Sequence, residues 1–172
     1  MSLQYEICSI ELDKSKIINN FTSKNDETTK HLVENFVITH NSSLIEKSST
    51  TYQISNNNEV IAYFVISLWS IYKSSKNNNF WIKQNLSHEW YSVINLEFLI
   101  RKPWKDFNWL WDAIFKFLWE IIEYINKKVH LKYIFISALR NRINYFENKW
   151  FIAMNPKSKL WWKNNIDMLL KI

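Results

Sequence analysis

Two apolar runs on either side of an amphipathic segment constrain the fold more than any other feature of this chain. The runs "YSVINLEFLI" (91–100) and "KYIFISA" (132–138) are rich in β-branched and aromatic residues, as buried strands are. The segment between them carries an apolar stripe at helical spacing, formed by Ile114, Leu118, Ile121 and Ile125. This order predicts two adjacent strands of one sheet, joined by a right-handed crossover through a helix over Asp112–Lys127.

The upstream part of the chain predicts a strand, a helix and a hairpin. "LQYEICSIEL" (3–12) has the alternation of a first strand. Side chains at helical spacing predict a helix from about Asp26 to Ile45. "TTYQIS" (50–55) and "EVIAYFVISL" (59–68) flank three consecutive asparagines, a pattern typical of a hairpin turn.

Downstream of the crossover, the pattern predicts a short helix over "LRNRINYFEN" (139–148) and a last strand over "NNIDMLLKI" (164–172). No internal repeat or linker interrupts the chain. We therefore expect one mixed α/β domain over residues 1–172, with a sheet of about five to seven strands.

The composition contains an anomaly: ten tryptophans and no glycine. A chain of this length should hold roughly twelve glycines. Glycine is the usual residue where the backbone needs a positive φ or where a ligand must approach it closely. One hypothesis is that most of the tryptophans are glycines in the cell, encoded by a reassigned UGA codon. The alternative is a protein that is rich in tryptophan by nature.

Charge and cysteine content restrict the classes of partner and compartment. The net charge of +6 favours polyanionic partners such as nucleic acid or a phosphorylated cofactor. A single cysteine, Cys8, fits a reducing cytoplasm. The sequence shows neither a signal peptide nor a run of about 20 apolar residues, so it predicts no membrane span. The four histidines, at 31, 40, 88 and 130, are too scattered for a metal site.

Three segments become familiar when their tryptophans are read as glycines. They are "KDFNWLWDAIFKFL" with Trp109 and Trp111, "YFENKWFIAM" with Trp150, and "VISLWSI". Read in this way, the chain from about residue 20 to 172 resembles the GNAT superfamily of N-acetyltransferases, nearest the subgroup of toxins from toxin–antitoxin pairs. The resemblance implies a mixed, mostly antiparallel sheet with splayed central strands and helices on both faces.

The resemblance also implies acetyl-CoA as co-substrate. The first turn of a helix binds phosphate through unpaired N–H groups, and glycines let the pyrophosphate approach. The residues implied to bind the cofactor are Leu99, Ile100, Arg101, Lys105, Asn108, Trp109, Leu110, Trp111, Asp112 and Asn141. One departure is Asp106, which stands where the family has Gln or Arg; a cation at Arg101, Lys102 or Lys105 would compensate.

The catalytic residues implied are Tyr145 and Glu97. Phe146 stands at the position of the family's general-acid tyrosine, and Tyr145 is next to it. Adjacent helical residues point about 100° apart, so Tyr145 replaces that tyrosine only after a local shift. Glu97 is a candidate base acting through a water, as strand glutamates are in some relatives; the alternative is a structural carboxylate paired with a lysine.

Two functions of different classes follow. The first is transfer of acetyl to a primary amine, with the α-amine of aminoacyl-tRNA as an acceptor, an antitoxin as a partner and a homodimer as the assembly. An ordinary protein or small-molecule acetyltransferase is an alternative within this class. The second takes the tryptophans literally: "RKPWKDFNWLW" and "KLWWKNN" interleave cations with aromatics, as non-enzymatic modules that bind single-stranded nucleic acid do.

Overall fold

The computed structural model describes residues 3–23, 27–72, 90–103, 108–140, 143–154 and 165–172. These ranges contain seven strands and four helices. The strands are β1 (Leu3–Ile7), β2 (Thr50–Asn56), β3 (Glu59–Tyr72), β4 (Trp90–Arg101), β5 (Tyr133–Leu139), β6 (Ile152–Ala153) and β7 (Asn165–Lys171). The helices are α1 (Lys14–Phe21), α2 (Glu27–Glu46), α3 (Asn108–Asn126) and α4 (Ile143–Glu147).

The seven strands form one sheet in the order β1-β2-β3-β4-β5-β7-β6. Antiparallel pairing joins β1 to β2, β2 to β3, β5 to β7 and β6 to β7. β4 and β5 pair in parallel, and the chain between them includes α3. The mixed, mostly antiparallel sheet and the adjacency of these two strands confirm the prediction.

The hairpin between β2 and β3 forms as the sequence predicts. Asn57 and Asn58 both adopt positive φ, at 48° and 66°. Two such residues are typical of a type I′ turn, whose twist matches that of the flanking strands. Asparagine tolerates this region better than most residues, so the turn forms in a chain that has no glycine.

The contacts of the chain divide it into two compact units. Unit 1 consists of Met1–Ser67 and Glu97–Tyr124, and unit 2 of Leu68–Leu96 and Ile125–Ile172. The core of unit 1 packs α1 and α2 against β3 and β4, with Phe36 and Val65 fully buried. The core of unit 2 includes Tyr91, Val93, Tyr133 and Leu169.

The bounds of β1 and α4 differ from the sequence prediction. β1 ends at Ile7 and not near residue 12, because side chains of α2 bind the backbone that follows. His40 Nε2 lies 2.8 Å from the Ile10 carbonyl oxygen, and Asn41 bonds both the N–H and the carbonyl of Leu12. The helix expected over 139–148 is shorter, Ile143–Glu147, and Leu139 belongs to β5.

Candidate active site

The paired part of β4 and β5 is short. The parallel ladder runs from Val93 and Tyr133 to Leu96 and Ile136, and both strands continue beyond it, to Arg101 and Leu139. The predicted pantetheine-binding positions Leu99, Ile100 and Arg101 all lie in this continuation of β4. Ile100 is buried and the other two are half-buried.

The N-terminus of α3 carries most of the other predicted cofactor residues. The helix begins at Asn108, which places 109 to 111 in its first turn. Leu110 is fully buried, Trp109 and Trp111 are half-buried, and Asp112 is exposed. The first four N–H groups of a helix have no partner within it. Anions commonly bind at such helix N-termini, and in this helix the first turn carries two half-buried indole rings.

Arg101 and Trp111 are in contact. The guanidinium carbon of Arg101 lies 5.6 Å from the centroid of the Trp111 ring, within the range of a cation–π interaction. Lys102 is engaged differently: its ammonium pairs with Glu59 and its side chain is 11% exposed. Of these two cations, Arg101 is thus the one at the first turn of α3.

Glu97 has a partner that the sequence did not predict. The hydroxyl of Ser67, on β3, donates a hydrogen bond to Oε1 of Glu97, on β4. The ion pairs within the described ranges do not include Glu97, so the partner of this carboxylate in that part of the chain is a serine. Ser67 is buried and Glu97 is half-buried, which leaves the carboxylate accessible to a small molecule such as water.

Tyr145 and Phe146 differ in their environments. Phe146 is buried and packs edge-to-face on Phe151, with ring centroids 5.7 Å apart. Tyr145 is half-buried, and its hydroxyl oxygen is buried. Both residues lie in unit 2, whereas Glu97 and the described cofactor candidates lie in unit 1. Phe146 is held by packing and has no proton to donate, and the role of general acid stays a prediction for Tyr145.

Trp150 occupies a backbone position that favours glycine. Its φ is 70°, in the left-handed region, and it follows the end of α4. The N–H of Trp150 donates to the Glu147 carbonyl and the N–H of Phe151 to the Phe146 carbonyl. Together with the Phe146–Phe151 contact, this is a Schellman motif whose C′ residue, here Trp150, is usually glycine.

The other described tryptophans also lie outside the core. Six of the ten tryptophans fall in the described ranges, and each of these six is exposed or half-buried. The exposed ones are Trp69, Trp90, Trp119 and Trp150, the last with 83% of its surface accessible. Tryptophan is normally among the more buried residues. Its placement here is unlike that of a residue that stabilises a core.

Three predicted or related residues, Lys105, Asp106 and Asn141, lie outside the described residues. Asn108 lies in α3, but its side chain also falls outside the description. Their assigned roles stay predictions. In the described part of the chain, no group of three or more His, Cys, Asp or Glu side chains is arranged to hold a metal ion.

Solved toxin structures share this fold. A bacterial toxin is 11% identical, with a TM-score of 0.75 over 99% of this chain and 91% of its own. AtaT complexed with acetyl-methionyl-tRNAfMet is 14% identical, with a TM-score of 0.66 over 96% of this chain and 94% of that one. A tyrosine-to-phenylalanine mutant of KacT is 12% identical, with a TM-score of 0.68 over 99% and 95%. The chain has the GNAT-like fold of these toxins.

No family model matches this sequence, and no curated protein matches it either. The likeness to AtaT and KacT thus lies in the fold, at identities where sequence comparison finds nothing. None of the helices in the described ranges is long and apolar enough to cross a membrane.

Proposed function

We propose that this chain is an N-acetyltransferase that moves the acetyl group of acetyl-CoA to a primary amine. The observation that carries the proposal is the juxtaposition of two features of unit 1. β4 continues past its last residue paired with β5, and α3 begins with a first turn whose N–H groups suit a pyrophosphate. AtaTR, which has the same fold, has been solved bound with acetyl-CoA.

The tryptophan side chains at the first turn of α3 do not fit this co-substrate. The half-buried indoles of Trp109 and Trp111 occupy the first turn of α3, and the Trp111 ring covers one face of the Arg101 guanidinium. Glycine at both positions would clear the turn and uncover Arg101. We therefore include in the proposal that Trp109, Trp111 and Trp150 are glycines in the working enzyme. The positive φ of Trp150 supports it, as do the accessible positions of the six described tryptophans.

The chemistry needs few groups from the protein. The amine nitrogen attacks the thioester carbon, so that a C–N bond forms and the C–S bond breaks. The amine proton passes to the Glu97 carboxylate through a water molecule, and the leaving thiolate takes a proton from a general acid, a role for which the resemblance implies Tyr145. Both are assigned as general acid–base groups, whose effect is typically about 10²–10⁴-fold each.

As the acceptor we propose the α-amine of an aminoacyl-tRNA, which makes the protein a toxin paired with an antitoxin. AtaT has been solved with acetyl-methionyl-tRNAfMet, and also bound to the C-terminus of the antitoxin AtaR. The net charge of +6 suits a polyanionic acceptor, because lysine and arginine side chains bind RNA phosphates.

The test uses two full-length proteins: the chain as written and a triple-glycine variant (Trp109→Gly, Trp111→Gly and Trp150→Gly). Each is incubated with radiolabelled acetyl-CoA and a set of aminoacyl-tRNAs, with uncharged tRNA and free amino acids as controls. We expect the triple-glycine variant to label aminoacyl-tRNA and the chain as written to label it far more slowly. Failure of both proteins to label any amine would overturn the proposal. Tight binding of single-stranded RNA by the chain as written, lost in the variant, would favour the nucleic-acid-binding module.

A further inference from the structure

We infer that Ser67 is a positioning residue that holds the Glu97 carboxylate ready for proton transfer. The inference rests on the proposed function, in which Glu97 is the base, and adds a residue to it. Its basis is the hydrogen bond from the Ser67 hydroxyl to Oε1 of Glu97. Both residues lie in unit 1, on strands that are neighbours in the sheet.

The location of Ser67 distinguishes it from a surface serine. It ends a run of buried residues in β3, Ile61–Ile66, and is itself 7% exposed. The next residue, Leu68, is 58% exposed. The hydroxyl therefore lies where β3 passes from the protein interior to an accessible surface. A buried hydroxyl needs a hydrogen-bond partner, and the carboxylate of Glu97 supplies it.

The bond leaves half of the carboxylate for chemistry. Oε1 accepts from Ser67, while Oε2 makes no hydrogen bond or ion pair with any residue that the structure describes. On β4, the side chains from Val93 to Leu96 are buried, and exposure begins at Glu97. One oxygen is thus fixed by the protein, and the other is on the half-exposed side chain that water can reach.

The physical benefit is orientation. A glutamate side chain has three rotatable bonds, and the strand fixes none of them. A hydrogen bond from a buried donor selects one rotamer, which removes the cost of ordering the base at each turnover. Small errors in the position of a catalytic group are costly to rate, even when the group itself is intact. Ser67 would therefore act on kcat through Glu97.

The experiment is a double-mutant cycle in the triple-glycine variant, with aminoacyl-tRNA acetylation as the activity. We expect Glu97→Gln to lower kcat by about 10²-fold or more and Ser67→Ala to lower it by roughly 10-fold. If Ser67 acts through Glu97, Ser67→Ala should change kcat less than about 2-fold in the Glu97→Gln background, because coupled residues are not additive. Ser67→Thr keeps a hydroxyl and should restore most of the activity lost in Ser67→Ala.

A matched control separates positioning from stability. Ser43 is also buried, at 6% exposure, but its hydroxyl bonds the Thr39 carbonyl and the Ser49 hydroxyl. Ser43→Ala should reduce the melting temperature about as much as Ser67→Ala does, and it should leave kcat unchanged. Equal losses from Ser67→Ala in both backgrounds, or no loss in either, would overturn the inference while the acetyltransferase stands. Absence of acetylation in every protein would overturn the proposed function and the inference with it.

Discussion

The Trp111 ring lies against the guanidinium of Arg101, 5.6 Å from ring centroid to guanidinium carbon. In the proposed acetyl-CoA site, the Trp111 indole thus covers a face of the guanidinium that we expect to bind a phosphate oxygen. A guanidinium forms strong, charge-assisted hydrogen bonds with phosphate oxygens. Removal of the ring should convert Arg101 from an indole-binding to a phosphate-binding side chain.

We expect Trp111→Gly, in a Trp109→Gly background, to strengthen acetyl-CoA binding by at least about 10-fold in calorimetric titrations. Arg101→Gln, added to the variant that carries both glycines, should reverse most of that gain. Trp69→Gly, at an exposed tryptophan of unit 2, is the matched control and should leave the affinity unchanged. Equal affinities with and without the indoles would contradict the assignment of this turn.

Trp150→Gly should stabilise the protein. A residue other than glycine in the left-handed region costs about 1–2 kcal/mol, and the entropy of glycine in the unfolded chain offsets about 0.5–1 kcal/mol of the gain. The 83% exposed indole contributes little burial. The free energy of unfolding should rise by roughly 0.5–1 kcal/mol, which raises Tm by about 1–4 °C.

The control for Trp150→Gly makes the same substitution in a different backbone. Trp119 lies within α3 and is 39% exposed. Glycine inside a helix is unfavourable, so Trp119→Gly should lower the free energy of unfolding by about 0.5–1 kcal/mol. Opposite signs for the two substitutions in thermal unfolding would support the glycine position at 150. Equal losses would contradict it.

The sequence predicted the elements whose patterns are long. The apolar run at 91–100 predicted the bounds of β4 to within a few residues. The apolar stripe that contains Ile114 and Leu118 extends over several helical turns and predicted α3 to within a few residues. It missed α1, whose only strong signal is Asp13 as N-cap, accepting from the Lys16 N–H. It also missed β6, because two residues are too short to show a period.

The site was less predictable than the fold, and Glu97 shows why. The sequence placed a carboxylate on β4, but its partner is Ser67, 30 residues upstream. Which residue of β3 lies beside Glu97 depends on the register of two strands, and register is set by the packing of the whole sheet. At Trp150, by contrast, the resemblance places a glycine, and the left-handed conformation found there is one that glycine favours.

Alkaline pH should weaken the folded state through buried tyrosines. Burial, with a smaller Coulombic effect of Cys8, raises the pKa of Tyr63 to about 12. Burial also raises the pKa of Tyr52 and of Tyr133. Between pH 10 and 12 the unfolded chain releases protons that the folded chain keeps, so stability is intact below pH 10 and falls as pH rises through this window.

Tyr63→Phe tests the largest of these contributions. Urea unfolding at a series of pH values should show that the substitution removes up to about 2–3 kcal/mol of the alkaline loss. Tyr124→Phe is the matched control, because Tyr124 is 62% exposed and folding removes little of its side chain from water. An identical alkaline slope in Tyr63→Phe and the unmodified chain would contradict this account.

Tyr145 is the proposed general acid, because the neighbouring Phe146 has no proton to donate. The Phe146 ring is committed to the packing contact with Phe151 that accompanies the Schellman motif, whereas Tyr145 is half-buried with a buried hydroxyl. In the triple-glycine variant, Tyr145→Phe should therefore lower kcat by about 10²-fold or more, since positioned proton transfer is typically worth that much. The affinity for acetyl-CoA should change little, because the hydroxyl acts at the leaving sulfur.

Phe146→Tyr should not raise kcat and should lower stability, because it introduces a hydroxyl into packed surroundings. A silent Tyr145→Phe together with a faster Phe146→Tyr would reverse the assignment.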